Sequence, residues 1–416
     1  MRIFLAACGT LLLSAFVLLA GSGLLFGLLP LRARLDGFSD ASIGLLGSCY
    51  FAGMLLGCIA TPTLIRSVGH IRVYAACAAL ATTMPLSHLL LPEPLAWALL
   101  RGMTGFCFAA VYAIIESWLN ERATNEIRGA VLAIYNIINF AAMAAGQQLM
   151  RLYDIDGFQL FALTAILISV AAIPVVLTPV TAPTPPESPH LRPVWLFRVS
   201  PAAFVGALFV GFANGAFWTL TPVYATANGL GAVGVADFVT ATIVGASISL
   251  FPIGRYSDRI DRRVVLAGCS LLSALAAAGL VAFTLSGLAS YWLLMGLSAI
   301  FGAAAMPIYA IAAAQGSDHA RPEQLVEVST GLLLIYTVGA VIGPALASLL
   351  MEYIGATGLF AWTAAVHLVL GIYATWRMRQ RAPVRMAERE PFSPTPRTSP
   401  LAIELSPLVH EETRDH

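Results

Sequence analysis

Lysine is absent from this 416-residue chain: all 23 basic residues are arginine. A P-loop needs a lysine over its phosphates and a Schiff-base enzyme needs one as nucleophile, so neither chemistry is open to this chain. Charge of either sign is scarce. Only 11% of residues are charged, against about 25% in soluble domains. The net charge of +1 offers no basic surface for a nucleic-acid partner. Six cysteines (Cys8, Cys49, Cys58, Cys77, Cys107 and Cys269) lie within or at the edge of apolar runs and form no CxxC pair. They read as small hydrophobes rather than a disulfide or zinc framework. No HExxH, no GxSxG elbow and no clustered metal ligands are present, so neither an enzyme nor a cofactor is expected.

What the chain has in abundance is apolar sequence. Hydrophobic residues make up 58% of it, too many for a water-soluble core, and a spanning helix needs about 20 apolar residues in a row. Twelve such spans are expected, at 4–29, 41–65, 73–91, 95–118, 129–150, 158–178, 203–226, 236–256, 264–285, 291–313, 326–350 and 357–377. The first, with its apolar run from Ile3 to Leu29, is longer than the core of a signal peptide and lacks a small-residue cleavage site. Small residues recur at close spacing, as in Gly339-x-x-x-Gly343, where helix backbones can approach within lipid.

Arginine placement gives the orientation. With the N-terminus in the cytoplasm, inner loops and tails hold 19 arginines and outer loops three, Arg32, Arg34 and Arg151. The positive-inside rule favours that arrangement, with both termini cytoplasmic in a bacterial inner membrane. The segment PVTAPTPPESPHLRPVWLFRVS holds six prolines and no apolar period, the composition of a linker. The expected organisation is a six-helix half at 1–178, a cytoplasmic linker at 179–202, a second six-helix half at 203–377 and a disordered tail at 378–416. Two matched halves imply an internal duplication with a substrate site between them.

Charge is concentrated in one place, GRYSDRIDRR at 254–263, between spans eight and nine. This loop resembles the signature of the major facilitator superfamily, a glycine, three residues, Asp-Arg, then Gly-Arg-Arg. Gly254, Asp258, Arg259, Arg262 and Arg263 match it, and Asp261 stands where the family has glycine. The equivalent loop of the first half, PTLIRSVGHIR at 62–72, keeps Gly69 and places Arg66 at the acidic position. RGMTGFCFAA (101–110) is similar to the family's fourth-helix motif. ESWLNERATNEIRGAVLAIYN (116–136) and RPEQLVEVSTGLLLIYTVGAVIGP (321–344) resemble the YcaD-like branch of bacterial facilitators. The resemblance covers about residues 1–377. It implies an all-α, twelve-helix transporter that works by alternating access on a small-molecule substrate within the lipid bilayer, without nucleic acid and as a monomer. Drug or metabolite efflux and nutrient import are both open, as is a transporter-like sensor that binds without moving solute. The glycine-proline motif of many drug antiporters is missing from span five, where 142–147 reads AMAAGQ.

Several residues carry candidate roles. Asp258 is expected to latch an inner gate by facing the N-terminus of span eleven, an interaction of roughly 0.3–2 kcal/mol, with neighbouring arginines paired to Glu323 or Glu327; in the simpler alternative the arginines only set topology. Arg101 sits about 9 Å into span four, where a charge costs about 2.5–3.5 kcal/mol at the bilayer centre; it either snorkels outward or faces the cavity. Glu116, with Tyr112 four residues before it on the same face, is either a proton carrier or a structural acid paired with Arg122 or Arg128. Asn136 and Asn139 share a face of span five, and Asn214 and Trp218 a face of span seven. Buried amides in a bilayer need partners, so these four are candidate substrate contacts or helix–helix hydrogen bonds.

Overall fold

The computed structural model describes residues 2–124, 127–177, 183, 192–287, 290–380 and, in the tail, 382, 384–386, 389–393, 397–400 and 402. No strand occurs among the described residues. The first half of the sequence forms α1 (Arg2–Leu35), α2 (Asp40–Val68), α3 (His70–Leu90), α4 (Pro94–Arg122), α5 (Arg128–Gln148) and α6 (Gln159–Leu177). A short α7 (Pro193–Val199) precedes α8 (Pro201–Ala227), α9 (Ala232–Arg259), α10 (Arg262–Ser286), α11 (Tyr291–Ala305), α12 (Ile308–Ser317), α13 (Leu325–Ile354) and α14 (Gly358–Gln380).

Eleven continuous helical runs among the described residues are long and apolar enough to cross a membrane. The last of them, Leu325–Gln380, has 56 residues, or about 84 Å at 1.5 Å per residue, more than twice the hydrocarbon thickness. It is two spans joined at Gly355, whose φ of +73° suits glycine alone. Twelve spans therefore occur among the described residues, the number that hydropathy predicts. The tenth differs in detail from the single helix expected at 291–313. It breaks between α11 and α12 at Pro307, which has no N–H to donate to the preceding turn, and it continues to Ser317.

Residues 179–182 and 184–191 of the expected linker lie outside the described residues. The linker's end is helical: α7 starts with Pro193 in its first turn. Ser200 then caps α8, its hydroxyl accepting the Ala203 N–H at 3.4 Å, and Pro201 fills the first position, where no hydrogen bond is lost. The expected tail is in part ordered, because α14 runs on to Gln380 and residues 389–393 and 397–400 make the hydrogen bonds described below.

Two compact units emerge. One comprises Met1–Leu28, Cys49–His190 and Thr395–His416; the other comprises Leu29–Ser48 and Leu191–Pro394. The turn between α1 and α2 thus belongs with the second half of the sequence. Within that unit the Ala41 N–H donates to Glu352 of α13 at 3.2 Å. The same unit shows why Gly339 and Gly343 are needed. A Cβ on Gly339 would lie 2.2 Å from the Leu208 carbonyl oxygen, and one on Gly343 2.1 Å from that of Phe212, so any larger residue forces α13 away from α8. An aromatic cluster ties α8, α11 and α14 together: the Phe301 ring lies 5.5 Å from Phe217 and 5.6 Å from Phe360, and Phe360 packs edge-on to Tyr224 at 4.5 Å. Each such pair adds about 0.5–1.5 kcal/mol beyond its buried area.

Candidate functional site

In the first unit, α4 carries both ionisable candidates. Arg101 is 4% exposed and does not snorkel. Its guanidinium lies 4.4 Å from the Tyr50 ring centroid and 4.9 Å from that of Phe26, which themselves meet edge-to-face. Cation–π contact of this kind contributes about 2 kcal/mol when desolvated. Nη1 of Arg101 has no hydrogen-bond partner among the described residues. The backbone allows this crowding because Gly105 of α4 faces the Tyr50 carbonyl, which a Cβ would approach to 2.0 Å.

Glu116 is fully buried. It follows Arg101 by fifteen residues on one helix, about 22 Å along the axis, so the two charges are not partners. Its carboxylate accepts the Tyr135 hydroxyl of α5 at 2.8 Å. Two further donors reach it from the tail, the hydroxyls of Thr398 and Ser399. Arg128, one of the two arginines that a structural Glu116 was expected to pair with, engages the Asn120 side chain and, at 2.9 Å, the Ala123 carbonyl. Tyr112 lies buried on the same face of α4, stacked on Phe108 at 5.7 Å. Asn136 and Asn139 donate to carbonyls of their own helix, Leu132 at 3.0 Å and Tyr135 at 2.8 Å.

In the second unit, Asn214 is fully buried, and neither its amide nitrogen nor its oxygen has a hydrogen-bond partner among the described residues. An unsatisfied buried polar group costs about 1–3 kcal/mol. Trp218, one turn on, meets Phe217 edge-on at 5.4 Å, and Thr221 next along that face also has an unpartnered, buried hydroxyl.

The charged loop after α9 is organised around Arg262, which is 1% exposed. It bonds Asp318, at the end of α12, through Nε at 2.7 Å and Nη2 at 3.3 Å, and lies 3.1 Å from Asp258. The Arg262 pairing falls on Asp318, where Glu323 or Glu327 was expected; Glu327 pairs at 3.2 Å with Arg192. Asp258 accepts the Phe392 N–H at 3.1 Å, in place of the helix N-terminus expected for it. Gly254 seats the Phe392 ring, because a Cβ there would lie 2.1 Å from the ring edge. Asp261 caps α10: Oδ1 accepts the Arg263 N–H at 2.9 Å, and Oδ2 lies 2.7 Å from the Arg263 guanidinium. Arg263 also donates to the Arg377 carbonyl at 3.2 Å. Arg259 ends α9 with its side chain exposed.

The two loop carboxylates titrate in opposite directions. Burial raises the Asp318 carboxyl, and the contact with Arg262 does not fully offset it. Burial also acts upward on Asp261, but the hydrogen bonds and charge of Arg263 outweigh it and its net shift is downward. Sequence reasoning missed Tyr135, Asp318 and the tail donors. Each lies on a segment remote from its partner, and no spacing rule connects them. No group of three or more histidine, cysteine, aspartate or glutamate side chains able to hold a metal ion occurs among the described residues.

The sequence pattern of the Major Facilitator Superfamily matches residues 11–239 and 203–409, and the chain belongs to this family. It is similar to an uncharacterized MFS-type transporter of Enterobacter sp. (strain 638), 24% identical over 377 residues that cover 88% of this chain and 93% of the relative. It is also similar to the MFS-type transporter YcaD of Escherichia fergusonii, 25% identical over 362 residues covering 86% and 93%. Among solved structures it shares its fold with the nucleoside transporter NupG, at a TM-score of 0.71 and 13% identity over 90% of this chain and 97% of the other. A bacterial homologue of the lysosomal transporter Spinster has a TM-score of 0.70 and 14% identity over 92% and 97%. The chain is a multi-pass membrane transporter, not an enzyme.

Proposed function

We propose that this protein moves a small polar solute across the bacterial inner membrane by alternating access, coupled to protons through Glu116. The observation that carries this reading is a fully buried carboxylate inside a spanning helix, where it accepts the Tyr135 hydroxyl at 2.8 Å. An ionisable group placed so deep in a membrane protein is expensive to keep and belongs to ion or substrate pathways. Asn214 and Thr221 supply unpartnered hydrogen-bonding groups for the solute, with Trp218 as an aromatic wall. In the first unit, Arg101, Tyr112, Asn136 and Asn139 are the candidate contacts for solute or protons. The arginine asymmetry of 19 to three supports cytoplasmic termini. The halves at 1–178 and 203–377 act as the two moving bodies, and Asp258 with Arg262 serves as a cytoplasmic latch.

The test is a thermal-shift screen of solutes on purified protein, followed by uptake of the best stabiliser into liposomes with and without a pH gradient. A gradient should speed uptake by the native chain. Glu116→Gln should abolish that acceleration while leaving downhill uptake. Full gradient stimulation in the variant removes Glu116 from the coupling step.

A further inference from the structure

The C-terminal tail carries contacts that a disordered appendage would not make. In the second unit, three residues of it, Arg389, Glu390 and Phe392, are held by the charged loop and Asp318. Arg389 donates to the Ile260 carbonyl at 2.5 Å, and Arg262 donates to the Glu390 carbonyl. The Glu390 N–H donates to Asp318 at 3.2 Å and the Phe392 N–H to Asp258 at 3.1 Å, while the Phe392 ring rests on Gly254. The loop's glycine, aspartate and arginine thus all serve one extended peptide. In the first unit, a few residues further on, Thr398 and Ser399 donate their hydroxyls to Glu116, and Ser399 and Ala402 are each 1% exposed. A side chain so buried is a packed part of that unit.

We propose that the tail is an intramolecular strap that docks within each unit separately, residues 389–393 on the charged loop through Phe392 and residues 397–400 on Glu116 through Thr398 and Ser399. The chemistry fits at both ends. Backbone N–H groups and hydroxyls are donors, and each anchor presents a carboxylate to accept them; hydrogen bonds to charged groups are the stronger kind. The strap places peptide hydroxyls where a solute's donors would meet Glu116, so while docked it keeps that carboxylate occupied. Only this last consequence rests on the transport reading; the docking itself does not.

Trypsin reads the strap directly on the purified full-length chain in detergent. The anchors flank two cleavable bonds, Arg389–Glu390 and Arg397–Thr398. In the native chain both should be cut far more slowly than in the denatured chain. Thr398→Val combined with Ser399→Ala should raise cutting at Arg397–Thr398 about tenfold or more, because proteolysis tracks the open population and each lost hydrogen bond to a carboxylate enlarges it. Phe392→Ala should do the same at Arg389–Glu390. These substitutions lie in the tail, so the helices should fold as before, which a far-UV circular dichroism spectrum unchanged from the native chain confirms. Native cutting as fast as denatured cutting, or unchanged rates in both variants, overturns the strap. No solute is needed for the assay, so its result stands whether or not uptake is ever observed.

Discussion

The two loops that occupy equivalent places in the two halves of the sequence have taken opposite roles. In the first, α2 ends at Val68 and α3 begins at His70, with Gly69 between them at a φ of +87°. Arg66 and Arg72 flank this turn and are both exposed. In the second, Asp261 holds the turn at a φ of −59°, and Arg262 and Arg263 are buried. One loop needs glycine for its backbone and leaves its charges in solvent. The other has an ordinary backbone, replaces the family's glycine with a capping aspartate, and buries Arg262 and Arg263 while Arg255 and Arg259 stay exposed. The difference teaches that a shared signature is two separable devices. Exposed arginines serve topology, whereas a buried arginine must be paired and then organises whatever supplies the partner.

The comparison breaks most visibly at its two arginines. Arg262→Met leaves Asp318 buried without its cation and should cost about 3–5 kcal/mol, seen as a large drop in melting temperature in detergent. Arg66→Met should change stability by about 0.5 kcal/mol or less. Next in size is the turn itself. Gly69→Ala must place a Cβ in the left-handed region and should cost about 1–2 kcal/mol. Asp261→Ala removes both the α10 cap, worth about 1 kcal/mol, and the carboxylate beside buried Arg263; Asp261→Gly loses the same carboxylate but keeps more of the cap, so its loss should be smaller by about 0.5 kcal/mol. A larger loss at Asp261→Gly than at Asp261→Ala would show that the turn does not tolerate the family's glycine.

The smallest effect is a pH dependence. The Asp261 carboxyl is held below its ordinary value of 3.8 in the folded protein. Its ionised form is therefore the stabilising one; the contribution is complete above that value and lost as pH falls through the lower folded value. The melting-temperature gap between the native chain and Asp261→Ala should stay constant from neutral pH to near 4 and narrow only below it. A gap that narrows already between pH 7 and 5 assigns the cap to another group.

Much of the molecule was legible without its tertiary structure, and what was not is instructive. The spans, the Gly339-x-x-x-Gly343 interface and the candidate residues on α4 and α8 follow from local pattern. The fate of Arg101 does not, because Phe26 and Tyr50 reach it from α1 and α2. The two amides of α5 face one way as read, yet each bonds a carbonyl of its own helix; Asn214 is the one whose amide lacks a partner among the described residues. Asp258 was recognisable as an acid in a basic loop, but the Phe392 N–H that it accepts lies 134 residues away.

Sequence alone determined that this chain crosses a membrane twelve times as helices. A run of about 20 apolar residues can satisfy its backbone in lipid only by bonding to itself, and that is a local property. Tertiary structure alone decided which polar group meets which: Glu116 with Tyr135 and the tail, Arg262 with Asp318, Asp258 with Phe392. Those pairings depend on how each helix is rotated and on segments brought together by packing, and the order of residues along the chain contains neither.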